Sequence, residues 1–345
     1  MKALRDRGYT VYLSTPQSNY SVLFEEIGCK IIDTPFDRRG LTLAGDFKLW
    51  RKYNQIIREI CPDILLTFMV KPNIYGIRAA AKFDICGIPT VTGLGTSVQK
   101  RGILQNLVFF LYRHSFQKAP KVFVQNSANA ELFRLLGIVK REQIVQVPGS
   151  GVNLEKHSFE PYPEQDQPFR FLFIGRLMRE KGIFEYVEAA RRIRTVVPDA
   201  KFGILGFCEE ADILERIQAL SKEGTVDYFG YVKDVRPYIA CSHAVVLPSW
   251  HEGMANVLLE AAAAGRPVLA SNIPGCVETF NEGVTGFGFQ PCNVDDLCDK
   301  LNKFIALPHQ TRVEMGKASR IKMENEFDRA KVVETYLTEI DKALN

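Results

Sequence analysis

The sequence predicts an α/β chain of two domains, each a parallel sheet with helices on both faces. Three observations predict it. Short apolar runs alternate with amphipathic helical segments along almost the whole length, the pattern of repeated βαβ units. The chain has 345 residues, a length that suits two domains. The alternation breaks once, at VPGSGVNLEKHSF (147–159) followed by EPYPEQDQPF, where Pro, amide and charged residues read as a linker. The spans are therefore 1–150 for a first Rossmann-like domain, 151–168 for the linker, 169–325 for a second such domain, and 326–345 for a closing helix.

In the first domain YTVYLS (9–14) reads as a strand and SNYSVLFEEIG as a helix ending at Gly28. CKIIDTPF is the next strand. FKLWRKYNQIIREI (47–60) is helical, with Leu49, Tyr53, Ile56, Ile57 and Ile60 on one face. DILLTFM (63–69) reads as a buried strand, and PNIYGIRAAAKFD as a helix opened by Pro72. PTVTG (89–93), KVFVQ (121–125) and QIVQV (143–147) are strands, and NSANAELFRLLG is a helix. A domain of this type should open with a strand, a Gly loop and a helix. Here KALRDRGYT reads as the tail of that helix, so the first strand and Gly loop, roughly 25 residues of a βαβ unit, are expected to be missing, through a misassigned start, a truncated chain or a domain that lost its first strand.

KRGILQNLVFFLYRHSFQK (100–118) mixes Lys100, Arg101, Arg113, His114 and Lys118 with Leu104, Leu107, Val108, Phe109, Phe110, Leu111 and Tyr112. Two readings stand. The apolar side is domain core, or the helix lies on an anionic membrane.

The second half restarts the alternation. FRFLFIGRL (169–177), KFGILG (201–206) and VDYFGYV (226–232) read as strands, and KGIFEYVEAARRIRTVV, ADILERIQALSKEG and VRPYIACS as helices. The densest stretch follows. HAVVLPS (243–249) is a strand, Trp250-His251-Glu252-Gly253 a loop, Ala255 to Ala264 a helix stopped by Gly265 and Pro267, and Pro267 to Ala270 a strand. The loop and helix N-terminus of such a unit lie at the carboxyl edge of the sheet, where free N–H groups favour a phosphate. Glu252 precedes that N-terminus and Glu260 sits about one and a half turns into the helix. A carboxylate accepts two hydroxyl hydrogen bonds from a ribose or hexose. The plainer reading is a capping Glu and a solvated Glu. Arg176 and Lys181 in GRLMREKG follow a strand and open a helix, and two cations there suit a diphosphate; a GRxxxxKG run is weak by itself. Three further helices close the chain: VDDLCDKLNKFIAL, TRVEMGKASRIKMENEF and RAKVVETYLTEIDKAL.

Composition bounds the chemistry. No run of 18 apolar residues exists, and MKALRDRGYT has no apolar h-region. Eight Cys are scattered without a CxxC, which reads as free thiols in a reducing cytoplasm, without disulfides or a zinc site. The net charge of +4 is split unevenly, +10 over residues 1–150 and −6 over the rest. A basic half suits nucleic acid, anionic lipid or a phosphorylated acceptor, or is simply a solvated surface; no nucleic-acid motif supports the first. Gly93-Leu94-Gly95 lacks the third Gly of a dinucleotide site, and there is no P-loop, no DxD near a strand end and no readable Ser–His–Asp set.

PSWHEGMANVLLEAAAAGRPVLAS, continuing through IPGCVETFNEGVTGFGF, resembles the donor-site signature of glycosyltransferase family 4, retaining enzymes of the GT-B fold. GRLMREKG, 76 residues before EG-x6-E, fits the same pattern. KPNIYG, TGLGT, VPGSGVN, GYV and IPGC look closest to bacterial transferases that add GalNAc or galactose to undecaprenyl-diphosphate glycans of capsule, O-antigen or glycoprotein pathways. The resemblance implies two Rossmann-like domains about a cleft, with the last helix crossing back to the first. It implies a UDP-sugar donor, retention at the anomeric carbon, no metal or other cofactor, and a lipid-linked or oligosaccharide acceptor. A cytoplasmic location at the inner membrane face would follow. By position, Arg176 and Lys181 would bind the donor diphosphate and Glu252 would lie against the hexose. Backbone of Gly253, Met254, Ala255 and Asn256 would approach sugar and phosphate, Glu260 would take the ribose, and Val232 or Tyr231 the base. Many members carry a His at the end of the fourth strand of the first domain. TFMVKPNIYG has Val70 or Lys71 there, a departure, and His251 reads as structural. Two other classes share the pattern: a non-hydrolysing UDP-sugar epimerase, and a nucleotide-sugar-binding protein impaired by the missing start.

Overall fold

The computed structural model describes residues 1–18, 21–37, 42–93 and 102–344. They form two compact units, Met1–Val147 with Val333–Asn345, and Pro148–Val332. Leu94 to Arg101, and with them most of TGLGT, lie outside the described residues.

Unit 1 carries α1 (Lys2–Asp6), β1 (Tyr12–Thr15), α2 (Ser21–Glu26), β2 (Lys30–Asp33), α3 (Leu43–Ile60) and β3 (Ile64–Phe68). A π-helical turn (Pro72–Gly76) leads into α4 (Ile77–Lys82). Then come β4 (Cys86–Val91), α5 (Ile103–Phe116), β5 (Val122–Val124), α6 (Ser127–Leu135) and β6 (Ile144–Gln146). Among the described residues all pairings are parallel, in two pieces: β1 pairs β2, and β3-β4-β5-β6 form a separate sheet. Burial follows that division. Strands β4 and β5 are almost wholly buried, whereas β3, expected to be a buried strand, exposes Phe68 and leaves Ile64, Leu65 and Leu66 half-covered. A parallel strand is buried when a neighbour covers each edge and helices cover each face, and β3 has a paired neighbour on one edge only.

Helix α5 has two apolar faces. Val108, Tyr112 and Phe116 enter the core with Phe133 and Val124. Ile103 (90% exposed), Leu104, Leu107 and Phe110 (63%) point outward. Lys100 and Arg101 lie outside the described residues.

Unit 2 contains β7 (Arg170–Ile174), α7 (Ile183–Val196), β8 (Lys201–Leu205), α8 (Ala211–Lys222), β9 (Asp227–Tyr228) and α9 (Arg236–Ala240). Next are β10 (Ala244–Leu247), α10 (Asn256–Ala263), β11 (Val268–Ser271), β12 (Gly286–Phe289), α11 (Val294–Ala306) and α12 (His309–Glu326); α13 (Arg329–Leu344) begins in unit 2 and continues in unit 1. One six-stranded parallel sheet runs β12-β11-β10-β7-β8-β9. Strands β10 and β11 and the edge strand β12 are fully buried, in one core with Phe171 and Phe173 of β7, Phe202 of β8 and Tyr186 of α7.

Two details differ from the sequence reading. The strand expected over 226–232 stops at Tyr228, because Gly230 turns the chain at φ +72°, and Tyr231 and Val232 lie in the following loop. Strand β12, in GFGF, was not anticipated. Its glycines are required by crowding: a Cβ on Gly286 would sit 2.1 Å from Val268 O, and one on Gly288 2.0 Å from Asn272 Oδ1.

The Pro-rich stretch after Val147 packs on unit 2. Arg266, fully buried, donates to Glu160 O and Pro161 O in that stretch. It also donates to Ala240 O at the end of α9 and to Ala264 O at the end of α10. Two helix carboxyl ends, with their partial negative charge, thus hold a guanidinium with no carboxylate partner among the described residues. Burial lowers its pKa to about 10.

Candidate functional site

The strand order of unit 2 places the site. Connections leave β7 toward β8 and β9 on one side, and β10 leads toward β11 and β12 on the other. Adjacent β7 and β10 therefore flank a topological switch point, where the loops after the strands diverge and open a crevice. The loop after β7 carries Arg176 and Lys181; the loop after β10 carries Glu252.

Tight backbone contacts hold these loops. Gly182 (φ +72°) follows Lys181, and a Cβ there would lie 2.0 Å from Pro248 O, so only glycine lets the two loops meet. Gly275 of IPGC (φ +87°) sits within 2.8 Å of Glu252 O and Gly253 O by the same measure, and Ala255 N–H donates to its carbonyl at 2.8 Å. Trp250 N–H donates to Glu180 O, and its Nε1 to Glu185 Oε1 at 2.9 Å.

Within that frame Lys181 Nζ donates to Glu252 Oε1 at 2.5 Å, and Ser249 Oγ donates to the same oxygen at 2.8 Å. Both partners are largely covered, with side-chain exposures of 23% and 11%. The two residues expected to serve different parts of a donor are joined to each other. Arg176 is exposed and has no acceptor among the described residues. It is the uncommitted cation of the pair.

Glu260, on α10, stands apart from Glu252's contacts. The buried His157 lies close by, Nε2 to Oε1 at 3.9 Å, beyond hydrogen-bond range. Burial raises the Glu260 pKa, opposed by Lys156 and Arg329. Burial likewise drives His157 down to about 4, so at neutral pH the ring is uncharged. Its Nδ1 is buried without a partner among the described residues. A half-exposed carboxylate that accepts no hydrogen bond there is open to hydroxyl donors.

The remaining expected residues contribute backbone. Met254 and Ala255 side chains are buried, Met254 against Val152 and Leu259. Asn256 opens α10 and its Oδ1 accepts from Ser150 Oγ at 3.2 Å. The N–H groups of Met254 and Val257 take no acceptor among the described residues, leaving donors at the helix N-terminus. Val232 is half-buried against the core, whereas Tyr231 is 60% exposed.

Sequence reasoning did not find Ser249 or His157. Ser249 was visible as the Ser of Pro-Ser, but its bond to Glu252 depends on the loop turning back. His157 was read as linker. In unit 1, Lys71 is not at hand for a substrate: its Nζ is buried 2.9 Å from Asp46 Oδ1. Among the described residues no group of three or more His, Cys, Asp or Glu is placed to hold a metal.

Residues 1–156 match the glycosyltransferase family 4 model and residues 155–322 the glycosyl transferases group 1 model. The chain is 28% identical to the N,N'-diacetylbacillosaminyl-diphospho-undecaprenol alpha-1,3-N-acetylgalactosaminyltransferase of Campylobacter jejuni, across 100% of this chain and 94% of that protein. It is 23% identical to the capsular polysaccharide biosynthesis glycosyltransferase CapM of Staphylococcus aureus, across 84% of this chain and 79% of that protein. Its fold is that of a glycosyltransferase from Rickettsia africae, with TM-score 0.81, 19% identity, and coverage of 100% of this chain and 93% of the other. It is also that of Anabaena HepE crystallised with UDP, with TM-score 0.80, 17% identity, and coverage of 99% and 93%. The architecture is GT-B, and with its two family domains in tandem the chain belongs to the glycosyltransferases, a family 4 domain followed by a group 1 domain.

Proposed function

We propose that the chain moves a hexose or N-acetylhexosamine from a UDP-sugar to a polyprenyl-diphosphate-linked glycan, with retention at the anomeric carbon and without metal. The observation that carries this reading is the Lys181–Glu252 pair, which joins the loops after β7 and β10 at the switch point of unit 2; Arg176 lies in the first of those loops, and Glu260, on α10 after the second, accepts no hydrogen bond among the described residues. The Campylobacter relative is named for transfer to a diphospho-undecaprenol acceptor, and the Anabaena fold neighbour holds UDP. Both support the substrate classes.

Each residue then has a task. Glu260 accepts the ribose hydroxyls. Arg176 and the free N–H groups of α10 meet the diphosphate, and their charge stabilises it as it leaves. Lys181, held by Glu252, divides its charge between that carboxylate and the phosphate. Glu252, fixed by Lys181 and Ser249 through Oε1, keeps Oε2 for a sugar hydroxyl. No side-chain nucleophile is assigned. The acceptor attacks from the face the diphosphate leaves, and a phosphate oxygen takes its proton. The outward apolar face of α5 rests on the membrane that holds the acceptor.

A nucleotide-sugar panel with synthetic polyprenyl-diphosphate sugars, read by mass spectrometry, tests the reaction. Variants test the site. Arg176→Ala and Glu260→Ala should each weaken UDP binding by about tenfold, equivalent to about 1.4 kcal/mol. Glu252→Ala should lower kcat by a hundredfold or so while leaving UDP affinity equal or higher, since it frees the Lys181 ammonium. Unchanged kinetics in both Glu variants would sink the assignment. Product formed without acceptor would mark an epimerase instead.

A further inference from the structure

Beside Glu260, unit 2 buries a titratable ring to which the proposed reaction gives no task, that of His157. It lies in the turn that follows Val152, and backbone bonds place it. His157 N–H donates to Asn153 O at 2.9 Å, and Asn153 Oδ1 accepts the N–H groups of Glu155 and Lys156. Arg320 of α12 ties this turn to α10: its Nη1 donates to His157 O at 2.9 Å and to Ala263 O at 3.0 Å. Ala263 ends the helix that carries Glu260, so one guanidinium clamps the segments of both the ring and the carboxylate.

The two ring nitrogens are in different situations. Nδ1 is sealed from solvent and has no hydrogen-bond partner among the described residues. Nε2 faces Glu260 Oε1 at 3.9 Å. Burial, helped by the nearby Lys156, Arg236 and Arg329 and opposed by Asp234, keeps the ring uncharged at neutral pH. A neutral imidazole carries one proton, on either nitrogen. On Nδ1 that proton would be a buried donor without an acceptor, and the Nε2 lone pair would meet a carboxylate that repels it. On Nε2 the proton points at the carboxylate, and the repulsion becomes an attraction. The second tautomer is therefore the stable one.

A plain core histidine would explain the burial. It would not explain a ring whose one proton faces a carboxylate that accepts no hydrogen bond among the described residues. The Glu260 side chain is 31% exposed and keeps room to turn. A move of about 1 Å brings Nε2–H and Oε1 to hydrogen-bond length and leaves Oε2 for a hydroxyl.

We infer that His157 is a positioning residue: its Nε2–H turns the Glu260 carboxylate toward the ribose hydroxyls, and the preference for a ribonucleotide over a deoxyribonucleotide depends on it. The inference rests on the assignment of the ribose to Glu260 under the proposed function.

Calorimetric titrations with UDP and with deoxyuridine diphosphate test it, in the parent chain and in His157→Phe, His157→Gln and Glu260→Ala. The parent should prefer UDP. His157→Phe fills the same space without a proton to give; it should weaken UDP about tenfold and the deoxynucleotide much less. His157→Gln presents an amide N–H at similar reach and should restore most of the preference. Equal weakening of both nucleotides by His157→Phe would mark a packing role and overturn the inference. A preference lost in Glu260→Ala but kept in His157→Phe overturns it too, and leaves the ribose assignment standing. A parent without the preference, or its retention in Glu260→Ala, overturns the assignment itself and the inference with it. A nitrogen NMR spectrum of the parent chain with UDP needs no variant: it should show His157 protonated at Nε2, and a proton on Nδ1 would overturn the inference.

Discussion

His243 is buried, and its Nδ1 accepts the Arg170 N–H at 3.1 Å, a bond that only an uncharged ring can make. Burial and the nearby Arg312, Arg170 and Arg266 push its pKa down to about 4. The unfolded chain protonates that ring near its ordinary value of 6.5, so its contribution to stability is complete above that pH and is lost as pH falls toward 4. His157, also near 4, adds to the same slope. Together the two rings should cost roughly 2 to 4 kcal/mol of stability between pH 7 and pH 4.5, measured by urea unfolding. The loss should be smaller in a His243→Gln chain. Equal stability at the two pH values in the parent chain would contradict it. The residue scale also shows what the sequence could carry. Glu252 and Glu260 were legible because a fixed spacing on a loop and one helix survives folding. The Lys181–Glu252 bond was not, since it joins loops 71 residues apart that become neighbours only where the sheet order switches. The departure at Lys71 was readable in the sequence; its burial against Asp46 was not.

Among the elements, the glycines that look interchangeable in sequence are not. Gly182→Ala would drive a methyl into Pro248 O at a left-handed φ, and should destabilise unit 2 by on the order of 3 kcal/mol or more, read as a shift of the denaturant midpoint. A shift under about 0.5 kcal/mol would show that the two loops give way. Helix α5 has a separate expectation. Ile103→Ser with Phe110→Ser removes apolar groups that contact no core, so the thermal melt should hold while sedimentation with anionic vesicles falls about tenfold, on the scale of roughly 0.8 kcal/mol per buried CH2. Undiminished vesicle binding would assign that face elsewhere. Most helices and strands were readable from periodicity, because it reports burial on one face. Strand β12 was not, since Gly286 and Gly288 lower strand propensity and are there for clearance from Val268 and Asn272. Strand β9 was overread, because apolar Phe229, Tyr231 and Val232 continue the pattern past the turn at Gly230.

At the scale of the molecule, the chain repeats one architecture with different strand pairing and charge. Unit 2 is a single six-stranded sheet with a buried centre; unit 1 holds its six strands in two sheets, with the basic surplus on its side of the sequence. The proposed donor site belongs to unit 2, and the cations without ion-pair partners among the described residues along α3 belong to unit 1. The split of unit 1's sheet and the switch point of unit 2 are both set by which strands pair, which local patterns do not encode. The proposed function requires that unit 2 bind a UDP-sugar whose UDP is released by transfer. It is tested most directly by following UDP release from the cognate UDP-sugar with and without a polyprenyl-diphosphate sugar, in the parent chain and in Glu260→Ala. UDP should appear only with acceptor, in step with a product heavier by one sugar, and should fall in the variant at limiting donor. UDP released at the same rate without acceptor, or at the parent rate in the variant, would contradict it.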